Sequence, residues 1–335
     1  MSKSFNILYS KSTLILVVMV LSLSSCFKED EPIILPPAVN TVSQIAMGPD
    51  YEEMVYYDFS TNTSYSRDLK TWDLAFSFID GSCAIHLNGG KGMYAGVTEI
   101  EANFKPTIDL NNVNFRWDGS SGNKDSTAIG DWKAAGNMWN VYVIDRGPYY
   151  TDEDERYRKV VFYAAYTDYY TIYYSDMKGK DVYTINIPKY EGKNFSYFTF
   201  DKNGYCIDLE PHKDDWDIVF TRGIHTFYET TPPLPYIVTT VLINPNNVWA
   251  AADSVTGFND IDVNKALSMQ LSNNWDVIGW DWKQFDQTLG LYTVSTYKNY
   301  VIKDGEGSMY KMRFLDFYDK NRQRGYPKFE FTRIK

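Results

Sequence analysis

The stretch Trp216-Asp217-Ile218-Val219-Phe220 decides the fold, because Trp72-Asp73-Leu74-Ala75-Phe76 matches it 144 residues earlier in the chain. In both stretches a Trp-Asp pair leads into an apolar run of strand length. The indole of such a pair suits a protein core, and the carboxylate suits hydrogen bonds from nearby backbone amides. Two copies of one pattern at a long offset indicate an internal duplication.

Neighbouring blocks extend this match in the same order. Tyr57-Asp58-Phe59 precedes the first Trp-Asp pair, and Phe198-Thr199-Phe200 precedes the second. Downstream, Tyr142–Gly147 resembles Tyr300–Gly305. We therefore predict an N-terminal repeat over residues 46–190 and a related C-terminal domain over residues 191–335.

The blocks have the periodicity of strands. Lys328-Phe329-Glu330-Phe331-Thr332 alternates apolar and polar residues, and Val238–Ile243 is a continuous apolar run, as in a buried strand. Asn203-Gly204 is a tight-turn dipeptide. Helical periodicity is confined to short segments such as Val263–Leu271. The prediction is a mostly β fold of two related antiparallel β-sheet or sandwich repeats packed in tandem, with few short helices.

Composition narrows the class of protein. The 335 residues are 44% hydrophobic, enough for a sizeable core, so the chain is not disordered. A net charge of −10 argues against a protein that binds nucleic acid by neutralising phosphates. Aromatic residues make up 17% of the chain, which favours strands, whereas only 3 His and 3 Cys are present.

The N-terminus has the pattern of a secreted lipoprotein. Two lysines precede an apolar run, Leu14–Leu23, that is shorter than the ~20 residues of a membrane-spanning helix, so residues 1–25 are predicted to be a signal peptide. Leu23-Ser24-Ser25-Cys26 resembles the lipobox of bacterial lipoproteins, which implies that Cys26 is acylated. An uncleaved membrane anchor is the alternative. Residues 26–45 are then the lipidated cysteine and a flexible linker.

An acidic run follows the predicted anchor. Phe27-Lys28-Glu29-Asp30-Glu31 resembles the signal that exports lipoproteins of Bacteroidota to the outer face of the outer membrane. The alternative is a solvated charged tether. On the first interpretation the protein is lipid-anchored in the outer membrane and faces the cell exterior.

Catalytic and metal-binding motifs are missing from the sequence. It contains no CxxC or HxxxH spacing and no GxSxG, P-loop or GxGxxG motif. Cys83 and Cys206 do not make a disulfide framework and are predicted to be free thiols. We expect neither a catalytic nor a metal site, and a binding protein rather than an enzyme.

Four segments together resemble the HmuY family: Asp215–Arg222, Val301–Gly305, Tyr310–Phe314 and Gly325–Phe331. The resemblance extends over about residues 195–335 and reaches the first half only through the repeat. It implies a lipid-anchored, mostly β surface protein of Bacteroidota. The founding members of the family are hemophores that bind haem for a TonB-dependent receptor.

The resemblance also implies two axial ligands for haem, both His or both Met. One ligand lies in the segment after a Gly-Trp, but here Gly279–Asp286 contains neither residue, and Met269 is the nearest candidate for the other. His225 follows the second Trp-Asp strand and could face a pocket, whereas His86 and His212 have no partner at ligand spacing. A lone His more often serves as a hydrogen-bonding residue. The predicted ligand-binding residues are His225 and Met269, with haem as the implied cofactor.

Three functions remain open, and the third and weakest is glycan binding on aromatic platforms. The first is a surface lipoprotein that binds haem or a similar flat ligand and passes it to an outer-membrane transporter such as a TonB-dependent receptor. The second is a structural or accessory subunit of an outer-membrane β-barrel complex that does not bind haem and docks through exposed Tyr and Trp.

Overall fold

The structure is a computed structural model that describes residues 39–79, 81–101, 104 and 107–335. The predicted signal peptide, Cys26, the acidic run and the first part of the linker lie outside the described residues. No helix within the described ranges has the length and apolar character needed to cross a membrane.

The regular secondary structure of the described residues is mostly strand, as predicted. Within these residues the α-helices are α1 (Glu153–Arg156) and α2 (Val263–Ser268), the latter inside the segment predicted to be helical. The strands of the first part of the chain are β1 (Thr41–Gln44), β2 (Glu53–Asp58), β3 (Thr63–Asp68), β4 (Leu74–Ser77), β5 (Ile85–Leu87), β6 (Tyr94–Glu101), β7 (Asn140–Asp145), β8 (Tyr157–Ala165), β9 (Tyr169–Ser175) and β10 (Val182–Pro188). Those of the second part are β11 (Phe195–Thr199), β12 (Tyr205–Ile207), β13 (Ile218–Phe227), β14 (Leu234–Ile243), β15 (Trp249–Asp253), β16 (Lys283–Asp286), β17 (Leu291–Val294), β18 (Asn299–Lys303), β19 (Met309–Tyr318) and β20 (Arg324–Arg333).

Two four-stranded antiparallel sheets contain the Trp-Asp stretches. Their strand orders are β12-β11-β4-β5 and β14-β13-β2-β3. Strand β4 follows Trp72-Asp73 and pairs with β11, with Leu74 opposite Phe198. Strand β13 begins just after Trp216-Asp217 and pairs with β2, with Ile218 opposite Tyr57. Each Trp-Asp strand is therefore paired with a hairpin from the other part of the chain.

A five-stranded antiparallel sheet covers each four-stranded sheet. The orders are β10-β9-β8-β7-β6 and β1-β20-β19-β18-β15. The first sandwich encloses a core that includes Phe76, Phe162 and Phe198. The second encloses one that includes Phe220 and Phe314. These two sandwiches agree with the predicted fold class, and burial of their aromatic rings accounts for much of the high aromatic content.

Strands from the two sides of the predicted boundary between residues 190 and 191 pair with each other. Strands β2 and β3 join the sheet of β13 and β14, and β11 and β12 join the sheet of β4 and β5. The division at that residue stays a prediction about the sequence repeat. Within the predicted linker of residues 26–45, Thr41–Gln44 form β1, which pairs with β20. Cys83 and Cys206 are free thiols, as predicted.

A third apolar cluster lies between the two four-stranded sheets. It contains Trp72 and Tyr197 from one sheet with Tyr56, Trp216 and Val219 of the other. The ring of Trp216 packs edge-on against that of Tyr56, with centroids 4.9 Å apart. The Trp residues of both Trp-Asp pairs therefore meet at one interface, and this interface leads into the cavity described next.

Candidate functional site

A cavity of about 410 Å³ opens between the two four-stranded sheets. Strands of both sheets form its walls, and two loops, around residues 118–120 and 275–281, complete it. The lining is rich in rings, which are Tyr56, Trp72, His86, Phe195, Tyr197, Trp216, His225, Trp275, Trp280 and Tyr300. Its volume lies in the range of sites that hold small organic ligands and cofactors.

His86 on β5 forms part of one wall. Its side chain is buried, and its ring lies 4.9 Å from Trp275 and 5.8 Å from Phe195, measured between ring centroids. Burial lowers the pKa of His86 to about 4. The imidazole is therefore neutral at physiological pH, which is the form that binds metals.

Asp118 lies behind His86 and fixes the first loop. Its carboxylate accepts hydrogen bonds from the backbone amides of Leu87 and Ala128, at 2.8 and 2.7 Å. The Oδ2 atom is 3.7 Å from His86 Nδ1, beyond the usual length of a hydrogen bond. Burial raises the pKa of Asp118 to about 7, so desolvation acts against a charge on both partners of this contact.

His225 on β13 lies on the wall formed by the other sheet. Its ring centroid is 4.8 Å from that of Trp280 and 4.8 Å from that of Phe227. Arg222, on the same strand and also lining the cavity, donates from Nη1 to the Tyr149 hydroxyl at 2.6 Å. Arg222 has further N–H groups with which to meet a carboxylate.

The two loops are joined to each other over the cavity. Ser120 Oγ donates to Asp276 Oδ2 at 2.5 Å, and the amide of Trp275 donates to the carbonyl of Ser121 at 3.0 Å. Gly122 has a φ of +75°, and a Cβ at this position would lie 2.1 Å from the Trp275 ring. Only glycine permits this approach, so Gly122 sets the position of the indole.

Among the buried polar groups on the cavity lining, Trp216 Nε1 and the Tyr300 hydroxyl have no hydrogen-bond partner in the described residues. Both side chains are at least nine-tenths buried. Buried donors without partners are rare in native proteins because each costs free energy. A bound molecule with acceptor atoms is one way to satisfy them.

The structure brings one of the two predicted ligand-binding residues to the cavity. His225 lines it, whereas Met269 lies at the C-terminal end of α2 in a separate apolar cluster with Ala266 and Met309. The segment after Gly279 contributes Trp280 to the lining. No group of three or more His, Cys, Asp or Glu residues within the described ranges is placed to bind a metal ion.

The sequence did not indicate that His86 lines the same cavity as His225. His86 lies on a three-residue strand, and the residues around it carry no ligand spacing. Its neighbours Asp118 and Trp275 come from distant loops, so no local pattern signals their contact. His212 is half-exposed beside Asp214, with 3.5 Å between Nδ1 and Oδ2, and does not line the cavity.

Comparison with known proteins gives one family match. The family model described as HmuY protein matches residues 50–331. No protein with a curated description matches the chain. Among solved structures, an apo HmuY analog of Tannerella forsythia is 11% identical, with 90% of this chain and 99% of that chain covered and a TM-score of 0.34.

Two other solved structures are similar at the same level. Apo PinO from Porphyromonas gingivitis is 12% identical, with 89% of this chain and 98% of that chain covered and a TM-score of 0.30. A Bacteroides vulgatus protein provisionally described as HmuY-like and heme binding is 14% identical. The match covers 52% of this chain and 90% of that chain, with a TM-score of 0.21. Since these scores are low, the family assignment depends on the family model, which matches most of the chain.

Proposed function

Because the chain belongs to the HmuY family, we propose that it is a lipoprotein that binds haem, or a similar flat aromatic ligand, in the cavity between its two four-stranded sheets. We propose further that it is anchored to the outer membrane through Cys26, faces the cell exterior and passes its ligand to an outer-membrane transporter. This is a binding function and not an enzymatic one. The observation that carries it is the convergence of His86 and His225 on one aromatic cavity.

The rings of the cavity suit a flat ligand. Trp275 and Trp280 each lie within 5 Å of a histidine ring, one on either wall. Aromatic side chains provide large contact areas and favour stacked or edge-on contact with other rings. A planar macrocycle in this cavity would contact these indole and imidazole rings.

The donor set also suits haem as cargo. Haem brings an iron atom that accepts axial ligands from protein side chains such as His. Neutral imidazoles are such ligands, and burial keeps His86 in the neutral form. Arg222 lines the same cavity and is suited to hold a carboxylate of the ligand. The buried donors Trp216 Nε1 and Tyr300 OH would gain hydrogen-bond partners from a ligand with acceptor atoms.

A haem titration tests this proposal. The mature protein, purified in mild detergent, is titrated with haem in the oxidised and in the reduced state, and the Soret band is recorded. We expect a shifted Soret band for the wild-type protein. His86→Ala and His225→Ala should each weaken binding by about tenfold or more, the loss of roughly 1.4 kcal/mol of interaction.

His212→Ala is the matched control, because this histidine lies outside the cavity. It should bind haem as the wild type does. If neither redox state gives a Soret shift, axial ligation is excluded. If binding persists in both single variants, haem lies elsewhere.

One observation favours the alternative of an accessory subunit of an outer-membrane barrel complex. The distal end of the β13–β14 hairpin exposes Tyr228, Leu234 and Tyr236, with relative exposures of 78%, 50% and 59%. Exposed aromatic side chains are typical anchors of protein interfaces. Purification from the native host in gentle detergent should then recover a stoichiometric barrel partner, and Tyr236→Ala should release it. Recovery of the protein alone would exclude this function.

A further inference from the structure

The outer face of the five-stranded sheet β10-β9-β8-β7-β6 carries an aromatic platform distant in the fold from the cavity. Successive side chains of β9 point to opposite faces of the sheet. Tyr170 and Ile172 point into the sandwich core. The outward-facing side chains are therefore Tyr169, Thr171 and Tyr173. Tyr173 contacts two other rings on this face, those of Tyr163 and Trp139. None of these outward residues lines the cavity.

We propose that this platform, formed by Trp139, Tyr163 and Tyr173, binds a neutral oligosaccharide. The three ring centroids lie 4.6 Å (Trp139 to Tyr163), 5.1 Å (Tyr163 to Tyr173) and 6.3 Å (Trp139 to Tyr173) apart. The planes of Trp139 and Tyr173 differ by only 11°. The Tyr163 ring is tilted by 57° to Trp139 and by 48° to Tyr173. Trp139 is 42% exposed, so part of its apolar ring is available to a ligand.

Two irregularities of the backbone converge on this platform. The pairing of β8 with β9 shifts register between Phe162 and Ala164, which makes Tyr163 the extra residue of a β-bulge. Bulges redirect side chains and are common beside functional sites. Trp139 has a φ of +74°, a left-handed conformation that costs free energy for a non-glycine residue. Both irregularities serve to bring these two rings together, at 4.6 Å.

The neighbours of the platform on β10 form hydrogen bonds and carry no charge. On β10, Thr184 lies opposite Tyr173, and Asn186 lies opposite Thr171. Thr171 Oγ1 donates to Asn186 Oδ1 at 2.8 Å, which leaves the Asn186 amide group as a donor that bonds to no other described residue. Thr184 and Asn186 are exposed. Sugars present apolar C–H faces and hydroxyl edges, which match ring faces flanked by neutral donors and acceptors.

The dimensions fit an oligosaccharide better than a protein partner. Tyr169 lies about 13 Å along β9 from Tyr173 on the same face, and it stacks on Tyr166 with centroids 4.6 Å apart. A second ring pair is thus within reach of a short chain of sugars that starts on the platform. A stable protein interface buries about 800 Å² on each partner, which is far more than one exposed ring and two partly buried rings supply.

Isothermal titration with neutral oligosaccharides tests the proposal. The mature protein in mild detergent is titrated at millimolar concentration with cellohexaose, maltohexaose, xylohexaose and mannohexaose in turn. We expect at least one of them to bind. Trp139→Ala should weaken that binding by about tenfold, since one lost ring contact of this kind approaches 1.4 kcal/mol, and Trp139→Phe should retain most of it.

Trp249→Ala is the control, because Trp249 is 38% exposed on the other five-stranded sheet. It should bind the sugar as the wild type does. Failure of all four sugars to bind, or binding that Trp139→Ala leaves unchanged, overturns the proposal. Loss of a co-purifying protein in Trp139→Ala without any sugar binding would overturn it in favour of protein docking. Haem binding by Trp139→Ala should be unchanged, which separates this test from that of the cavity.

Discussion

Asp73 and Asp217 occupy corresponding places in the two four-stranded sheets and make the same backbone contact. The carboxylate of Asp73 accepts the amide of Phe200 at 2.8 Å, and that of Asp217 accepts the amide of Phe59, also at 2.8 Å. In each case the donor lies just beyond the strand that pairs with the Trp-Asp strand. The hydrogen bond therefore joins the exchanged hairpin to its host strand in both sandwiches.

The charges around the two carboxylates are opposite. Asp73 is paired with Lys91 and, at 2.9 Å, with Arg146. Burial opposes ionisation of Asp73, but these two cations outweigh it and hold the pKa below its usual range. Burial and, to a smaller extent, the nearby carboxylates of Asp58 and Asp304 together raise the pKa of Asp217 to about 7.

The sequence blocks show where the difference arises. Arg146 and Asp304 occupy the same place in the matching blocks Tyr142–Gly147 and Tyr300–Gly305. The first sandwich therefore has a cation where the second has an acid. In both sandwiches the aspartate accepts a backbone amide, but only in the first sandwich does a cation neutralise the aspartate. The electrostatic stability of the two sandwiches should thus differ in size and in its dependence on pH.

Removal of the Asp73 carboxylate should have the largest effect. Asp73→Asn leaves the buried charges of Lys91 and Arg146 without their main partner, which costs about 3–5 kcal/mol in comparable buried pairs. Urea unfolding followed by circular dichroism measures the change in free energy. Asp217→Asn is the matched control and should not destabilise the protein at pH 8. Equal losses in the two variants would show that the charge difference has no energetic consequence.

The second largest effect on stability should come from the ionisation of Asp217 as the pH changes. Its pKa is higher in the folded state than in the unfolded chain, so the folded state binds the extra proton. Stability is then highest below pH 4 from this group and is lost as the pH rises to about 7, by up to about 3 kcal/mol. Asp217→Asn should remove this loss.

Hydrogen exchange, followed by mass spectrometry of peptides from β13 and β4, measures each sandwich separately. Wild-type β13 should exchange faster as the pH rises from 4 to 7, after correction for the intrinsic rate, and Asp217→Asn should abolish the trend. Asp73 predicts no such loss for β4 between pH 4 and 7, because its lowered pKa gives stability that is lost only as the pH falls below the unfolded value. The same trend in both strands would contradict the comparison.

The sequence predicted the local features and not the long-range ones. The Trp-Asp pairs precede strands, and α2 lies in the predicted segment, because periodicity determines these features locally. Both carboxylates accept backbone amides, but the donors Phe200 and Phe59 lie 127 and 158 residues away in the sequence, so no local pattern identifies them. The exchange of hairpins between the sandwiches depends on pairings such as Tyr57 with Ile218, which no periodicity encodes. The cavity depends on the same long-range contacts, so no sequence pattern indicates that His86 and His225 line one cavity.

The two sandwiches also differ in the surroundings of a buried lysine, Lys91 in the first and Lys283 in the second. Lys91 in the first sandwich contacts a carboxylate, whereas Lys283 lies among the rings of Trp282 and Phe317 and donates to the carbonyl of Thr239 at 3.0 Å. Burial lowers the pKa of Lys283 to about 7. Between pH 7 and the unfolded value near 10.5 the unfolded chain binds more protons than the folded one, so stability rises with pH over this window.

Lys283→Met should remove that rise, with a smaller net effect than Asp217→Asn because the variant also loses the hydrogen bond to Thr239. Urea unfolding at pH 7 and pH 10 measures it, with the exposed Lys303→Met as the control. Ionisation of Asp217 lowers the stability as the pH rises to 7. Above pH 7 the stability rises again, because the unfolded chain keeps the proton of Lys283 that the folded state has lost. The two groups together predict a minimum of stability near pH 7 in the second sandwich. A wild-type profile that rises or falls steadily through pH 7 in β13 would mean that one of these two burial effects is absent.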